Sequence, residues 1–297
     1  MKINFNERVA VITGAGAGLG RSYALELASR GAKVVVNDIG SVDDSLSRAQ
    51  RVVDEIRSAG GEALPNCDDI SERSGASRIV DETMDSFGRL DILINNAGTL
   101  RDRSFMKMTL DDFEEIIRIH LLGSVAVTKR AFPIMRDQGY GRIILTTSAA
   151  GLYGNFGQTN YAAAKLGLVG FMNALKLEGS KYNINVNTVA PIAATGLSKG
   201  IFPETVTEKI TPEFVAAMVV YLASDACTAT GQILSAGGGY YAAVQIVEGA
   251  GIRFEHVPVT AEMIAQQFEN ITSMEHSRHY ENASENVIAL LQPLMNG

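Results

Sequence analysis

Ser148, Tyr161 and Lys165 are the residues whose types and spacing best suit proton chemistry. A tyrosine and a lysine at i and i+4 share one face of a helix, about one turn apart. A free phenol, with a pKa of ~10, is a poor donor and a poorer base near neutrality, and a neighbouring ammonium favours its phenolate. The spacing therefore predicts that Lys165 lowers the pKa of Tyr161; a fall of about three units would correspond to ~4 kcal/mol of differential stabilisation. Ser148 can hold a substrate oxygen while Tyr161 passes the proton. Each of these residues alone is ordinarily a surface or packing residue. Only their order behind a cofactor loop gives them chemistry.

That loop is Gly14-Ala15-Gly16-Ala17-Gly18-Leu19-Gly20, entered directly from the apolar run Val9–Thr13. Glycines in such a turn let the backbone approach a pyrophosphate, whose charge is received by free N–H groups and by the positive end of the helix that follows. The next apolar run, Lys33 to Asn37, ends in Asp38, at the distance where an acid meets an adenosine ribose. A carboxylate there accepts hydrogen bonds from both ribose hydroxyls and repels a 2′-phosphate, so NAD is expected rather than NADP. Asp68 and Asp69 follow a third run, and Asn95, Asn96, Ala97 and Gly98 follow a fourth. Each set falls at a strand's carboxyl end, where ligands gather in open α/β sheets.

The elements that must position these residues are legible as alternating patterns. Short β-branched runs at Val9 to Thr13, Lys33 to Asn37, Glu62 to Asn66, Ile92 to Asn95, Arg142 to Thr146, Asn185 to Val189 and Gln232 to Ser235 read as strands. Helical spacing appears over Arg21 to Ser29, Leu46 to Ser58, Gly75 to Phe87, Leu110 to Met135, Tyr161 to Lys181 and Thr211 to Leu222, with Asp111 as a candidate cap of the fourth helix. Continuous apolar strands such as Val34-Val35-Val36 fit burial on both faces of a parallel sheet. The expected fold is a single doubly wound, parallel-sheet (Rossmann-like) α/β domain with right-handed crossovers. It spans residues 1–241. Residues 242–297, with a weak strand at Ile246 and Val247 and helical patterns near Ala261 to Ile271 and Ser284 to Met295, read as a C-terminal extension and not as an independent domain.

Taken together, Thr13-Gly14 with Gly18 and Gly20, Asn95-Asn96-Ala97-Gly98, Ser148, and Tyr161 with Lys165 resemble the short-chain dehydrogenase/reductase family in type, order and spacing over residues 5 to 240. The resemblance implies a nicotinamide-dependent alcohol dehydrogenase or ketone reductase. In it Tyr161 is the acid/base, Lys165 binds the ribose and tunes Tyr161, Ser148 orients the carbonyl, and Gly14, Gly18, Leu19, Gly20, Asp38, Asp68, Asp69, Asn95, Ala97, Gly98, Pro191 and Thr195 line the cofactor. The family usually has an asparagine on the fourth helix, holding a water of the proton relay; here His120 stands in its place. His120 reads either as a core histidine satisfied by a backbone carbonyl or as a support for the same water chain. The family's usual glycine after Pro191 is replaced by Ile192, which bears on the nicotinamide pose. With Thr99 to Phe105, Gly154 to Gln158 and Val36 to Gly40, His120 also resembles a subgroup: the (3R)-hydroxyacyl-CoA dehydrogenase part of peroxisomal multifunctional enzyme type 2, also called 17β-hydroxysteroid dehydrogenase type 4.

Substrate contacts are expected from Leu100, Tyr153 and Phe156 on the loops after the fourth and fifth strands, with Pro191 to Ile210 as a closing lid hinged at Gly196, Gly200 and Pro203. Arg101, Arg103 and Lys199 could meet the phosphates of a coenzyme A or remain solvated charges. The 297 residues are 46% hydrophobic and carry 26 basic against 33 acidic residues with no basic run, which excludes disorder and an electrostatic nucleic-acid footprint. Two cysteines, Cys67 and Cys227, far apart in sequence, fit neither a disulfide framework nor a metal site. With no apolar run long enough for a membrane span and no signal or peroxisomal address, a cytoplasmic homodimer or homotetramer is expected, the pairing implied by the family resemblance. Two rival readings stay open at this stage: an NADPH-dependent 3-oxoacyl-acyl-carrier-protein reductase, and a dinucleotide sensor without chemistry.

Overall fold

The computed structural model describes residues 2–40, 47–196, 203–255 and 258–295. Eight strands, β1 (Val9–Thr13), β2 (Lys33–Asn37), β3 (Glu62–Asn66), β4 (Ile92–Asn95), β5 (Gly141–Thr146), β6 (Ile184–Pro191), β7 (Ile233–Gly237) and β8 (Tyr240–Val244), form one sheet in the order β3-β2-β1-β4-β5-β6-β7-β8. The ladders from β3 through β7 are parallel. Because β1 and β4 are neighbours, the strand order reverses between them, and a crevice opens at their carboxyl ends. Every residue of β1, β4 and β5 is buried, which accounts for their continuous apolar runs.

Helices cover the sheet: α1 (Gly18–Ser29), α2 (Arg48–Ser58), α3 (Arg73–Phe87), α4 (Leu110–Ile117), α5 (Ser124–Gln138), α6 (Ala149–Tyr153), α7 (Thr159–Gly179), α8 (Glu204–Thr207) and α9 (Pro212–Ala223). Tyr23 and Leu27 of α1, Val53 of α2 and Val219 of α9 close one apolar layer over β1 and β2 with Val34 and Val36. The single long fourth helix expected from spacing is instead α4 and α5 joined through a π-helical turn, Arg118–Gly123. That turn carries His120, and π turns inside helices recur at functional sites. The cap of α4 is Thr109, whose hydroxyl accepts from Asp112 N at 3.0 Å; Asp111, the expected cap, lies in the first turn. At the opposite edge of the sheet, buried Asp91 accepts from Val9 N (2.9 Å), Arg8 (3.0 Å) and Arg89 (2.7 Å), tying β4 to β1.

The two-residue turn Gly238-Gly239, with φ of 55° and 80°, sends the chain from β7 into β8. Residues Met1–Ala243 form one compact unit and Val244–Gly297 a second. The second holds α10 (Ala261–Gln266), α11 (Phe268–Thr272) and α12 (Ala283–Met295), with an antiparallel bridge between Glu248 and Arg278 in place of the strand expected at Ile246 and Val247. Among its described residues no side chain is buried.

Candidate active site

The glycine turn after β1 is built for close approach. A Cβ on Gly14 (φ +64°) would fall 2.7 Å from Ala97 Cα, and one on Gly20 would fall 2.3 Å from Gly14 O. A side chain at either position would fill the space between β1, β4 and the first turn of α1. Thr13 organises the other wall: its hydroxyl accepts from Asn96 N (3.0 Å) and Ala97 N (3.1 Å), while Asn96 Nδ2 donates back to Thr13 O (3.0 Å). This cradle of glycine and peptide N–H groups at a helix start fits a dinucleotide pyrophosphate. Gly18 abuts Thr195, whose Cβ lies 3.3 Å from where a Gly18 Cβ would be, so the two expected contacts from distant parts of the chain meet. Leu19 packs half-buried against the core, and Pro191 ends β6.

Asp38 stands at the end of β2, where both carboxylate oxygens already accept backbone N–H groups: Oδ2 from Gly16 (3.1 Å) and Oδ1 from Gly40 (3.0 Å). Its position against the glycine turn is thereby fixed. Asp68 is held by Arg78 (2.7 Å) and by Asn66 (2.9 Å), and Asp69 accepts from Ser71 N (2.8 Å), so both carboxylates serve the loop after β3. Asn95 turns inward to Thr128 (3.1 Å) and leaves its buried Oδ1 without a protein partner. Sequence reasoning missed the arginines here. Arg21, Arg48 and Arg51 line a pocket of about 420 Å³ with Gly16, Ala17, Val52 and Glu55, because α2 folds back over the turn, a proximity that spacing in sequence does not show.

At the reacting end, Ser148 caps α6, and its hydroxyl accepts from Ala150 N at 3.1 Å. Tyr161 lies in the first turn of α7, with Lys165 one turn on and Nζ 5.6 Å from the phenol ring centroid. Lys165 is buried and donates to Thr146 O at 2.6 Å. Burial lowers its pKa to about 7. The expected fall in the Tyr161 pKa is corrected by the structure: burial raises it, a hydrogen bond with Ser148 lowers it, and the Asp102 carboxylate raises it again, with a net rise. The physical reason is that desolvation penalises the phenolate, and Lys165, itself desolvated, does not offset that. The protein's own groups hold the phenol protonated.

His120 is buried, and its ring meets the Tyr161 ring edge to face, with centroids 5.1 Å apart. Its Nε2 lies 2.7 Å from Thr99 O and 3.1 Å from Thr99 N, while Nδ1 is buried without a partner. Either tautomer finds a backbone partner at Nε2, so Nδ1 can present a lone pair or a proton. Burial, and then the Lys165 charge, lower its pKa to about 3 and so keep the ring neutral at ordinary pH, while the Thr99 bond raises it by less. Both readings of His120 thus find a feature: a backbone carbonyl satisfies one nitrogen, and the other is orphaned beside Tyr161.

Of the expected substrate residues, Leu100 is half-buried, whereas Tyr153 and Phe156 are exposed at 70% and 89%. Phe105 and Met106 stand exposed on the loop after β4 as well. Arg101 and Arg103 pair with Glu115 (3.0 Å) and Asp112 (3.4 Å) of α4. Of the hinges expected in the lid Pro191 to Ile210, Gly196 and Pro203 are described, whereas Gly200, like Lys199, lies outside the described residues. Among the described residues no group of three or more His, Cys, Asp or Glu side chains could hold a metal, and no helix is long and apolar enough to cross a membrane.

A family described as short chain dehydrogenase matches residues 8–208. A Mycobacterium tuberculosis protein named as a short-chain type dehydrogenase/reductase is 45% identical over 272 residues, covering 90% of this chain and 95% of that protein. Peroxisomal multifunctional enzyme type 2 of Drosophila melanogaster is 41% identical over 306 residues; this chain spans 51% of its length. The solved full-length structure of that enzyme superposes with a TM-score of 0.85 over 99% of this chain and 50% of that one. A 7α-hydroxysteroid dehydrogenase solved with NADH and 7-oxo glycochenodeoxycholic acid is 31% identical, with a TM-score of 0.72 over 80% of this chain and 95% of that one.

Proposed function

The chain belongs to the short-chain dehydrogenase family, an oxidoreductase family acting on CH–OH groups with a nicotinamide dinucleotide, and from that premise we propose that it interconverts a secondary alcohol and a ketone with NAD. The observation that carries this reading is the meeting of Ser148, Tyr161 and Lys165 at the carboxyl edge of the sheet that also holds the glycine turn. The dinucleotide, when bound, supplies or accepts the hydride. Gly14, Gly18, Gly20, Ala97, Gly98 and Thr195 would hold it, with Asp38 toward the ribose and Lys165 at the nicotinamide end.

Within the protein, Ser148 and Tyr161 present two hydroxyls to one substrate oxygen. Tyr161 donates its proton to a ketone oxygen or takes one from an alcohol. Lys165, fixed by Thr146 O, places a titrating ammonium behind the phenol. Nδ1 of His120 is the relay position toward water, in the role the family usually gives to asparagine.

The substrate class we propose is a 3-hydroxyacyl-CoA or a 17β-hydroxysteroid. Exposed Tyr153 and Phe156, with Phe105 and Met106, provide an apolar rim for an acyl chain or a steroid ring. A panel of 3-hydroxyacyl-CoA thioesters and hydroxysteroids, read by NADH absorbance, tests it. Turnover of neither class, with other secondary alcohols oxidised, would overturn the substrate assignment.

Asp38 favours NAD, since a fixed carboxylate repels a 2′-phosphate. The pocket lined by Arg21, Arg48 and Arg51 beside Gly16 favours the second reading, an NADPH-dependent reductase; Arg21 is paired there with Glu55 at 2.6 Å. Asp38→Ser is expected to narrow the NAD to NADP ratio of kcat/KM roughly tenfold, or ~1.4 kcal/mol. An unchanged ratio would refute the ribose contact.

Residues 242–297 we take as an extension of the catalytic domain, and the assembly as a homodimer or homotetramer. Outward Leu122 on the π turn and Leu166 and Leu177 on α7 support pairing through these helices. The two free thiols, Cys67 and Cys227, are consistent with the cytoplasm, with the peroxisome of the named relatives as the rival compartment.

A further inference from the structure

Beyond β4 the chain runs through residues 99–103, a strap pinned at both ends to the reacting end of the site. At its start, Thr99 presents its N–H and its carbonyl to His120 Nε2, at 3.1 and 2.7 Å. At its far end, three successive residues meet the turn that opens α7, in antiparallel order. Arg101 O accepts from Asn160 Nδ2 at 3.3 Å, Asp102 Oδ2 accepts from Gln158 Nε2 at 2.7 Å, and Arg103 N donates to Gly157 O at 2.9 Å.

The two amides in this clasp are themselves fixed. Asn160 is fully buried in the first turn of α7; its Oδ1 accepts from Tyr161 N at 2.7 Å, and its Nδ2 also reaches Asp112 O of α4 at 3.2 Å. Gln158, buried directly before α7, has its Oε1 occupied by Asn155 Nδ2 at 2.9 Å. Each amide is thus oriented through its oxygen, and its donor is left to face the strap. Arg101, Asp102 and Arg103 are exposed, so apolar burial does not hold them. The ion pairs of Arg101 with Glu115 and Arg103 with Asp112 form at exposed guanidiniums, where such pairs contribute little. A surface segment without burial opens at low cost, so the amides decide whether the strap stands still.

Between the pins stands half-buried Leu100, on a strap that runs from His120 to the backbone of Tyr161. We propose that Asn160 and Gln158 are specificity-determining positioning residues: they clasp residues 99–103 into a fixed wall of the reacting end, which limits the bulk accepted next to the reacting carbon. A wider substrate must displace a held wall against its bonds, whereas a loose one moves aside. The proposal rests on the reading of Tyr161 as the acid/base group.

The clasp opens and closes at one bond. Gln158→Glu replaces the amide donor by a carboxylate set against that of Asp102, while its other oxygen still accepts from Asn155. Gln158→Glu with Asp102→Asn reverses donor and acceptor and restores the bond at the parental net charge; Asp102→Asn alone still accepts from Gln158. Two quantities are read. One is hydrogen exchange over residues 101–103, which needs no substrate. The other is the ratio of kcat/KM for two secondary alcohols of whichever class the parent oxidises, one carrying a methyl branch beside the carbinol carbon. In Gln158→Glu, exchange should become several-fold faster and the preference for the unbranched alcohol should fall roughly tenfold, the scale on which a pocket discriminates one methylene, with NADH binding unchanged. Both should return in the double variant and stay parental in Asp102→Asn. A clasp that serves stability alone would lower the melting temperature of Gln158→Glu and leave the preference where it was, which overturns the proposal. A preference that falls without faster exchange, or that the double variant does not restore, overturns it as well, as does a parent that accepts both alcohols equally. Full turnover in Tyr161→Phe, or a parent that oxidises no secondary alcohol, would instead remove the premise, so the two failures are read from different measurements.

Discussion

Tyr161→Phe is expected to lower turnover by ~10²–10⁴-fold, the range that a positioned general acid or base supplies, while binding of NADH, followed by its fluorescence, stays within a few-fold. The substitution removes one oxygen and little else. The ring remains to meet the edge of His120 at 5.1 Å, and the helix is anchored independently by the bond from Lys165 to Thr146 O. Ser148 loses its hydroxyl partner but keeps the bond from Ala150 N. The loss should therefore fall on kcat and not on the fold. The pH profile provides a second readout. His120, with a pKa of about 3, contributes no limb near neutrality, whereas Lys165, at about 7, does. The residual rate of the Phe variant should retain a limb from Lys165 and lose the one from the phenol. Near-normal turnover in Tyr161→Phe would remove the acid/base assignment.

How far the sequence discloses this site depends on the range of the interactions. Strands β1 to β4 are legible to the residue: burial on both faces writes near-continuous apolar runs in β1, β2 and β4, while β3, only partly buried, is bounded by its polar ends Glu62 and Asn66. The i, i+4 spacing of Tyr161 and Lys165 is local, and so is the glycine turn. The pKa of Tyr161 is not local: it depends on burial by α4, α6 and the π turn, so a charge argument from spacing alone gives the wrong direction. The π turn is not read from the spacing over 110–138, because a single wide turn leaves apolar residues at helical spacing on either side of it. Arg48 comes to lie beside Gly16 through tertiary folding of α2, which no spacing rule reports. Asn160 and Gln158 carried a signal in standing next to Tyr161, but polar residues before a helix are common as caps, and only the structure shows them fastening a loop.

Gly98→Ala is expected to cost about a hundredfold in turnover, the scale of a catalytic group displaced by an ångström, through His120. A Cβ at position 98 would lie 2.2 Å from His120 Cε1 and 2.8 Å from Nδ1. The imidazole has no easy retreat. Its far side is set by the Tyr161 ring, its Nε2 is engaged by Thr99, and its backbone carbonyl accepts from Ser124 Oγ at 2.7 Å within the π turn. Gly98 is thus the space that a ring in place of the family's usual asparagine requires, and it separates two reasons for a glycine there. If the glycine serves only the cofactor, Gly98→Ala weakens NADH binding and leaves kcat, and replacing His120 brings no relief. If it serves the imidazole, NADH binding survives, kcat falls, and adding His120→Asn, a smaller side chain able to bond the same water, recovers most of the rate, whereas adding His120→Ala relieves the clash without recovering it. Equal recovery by Asn and Ala would reduce His120 to packing, and the orphaned Nδ1 beside Tyr161 would then have no part in the proton path.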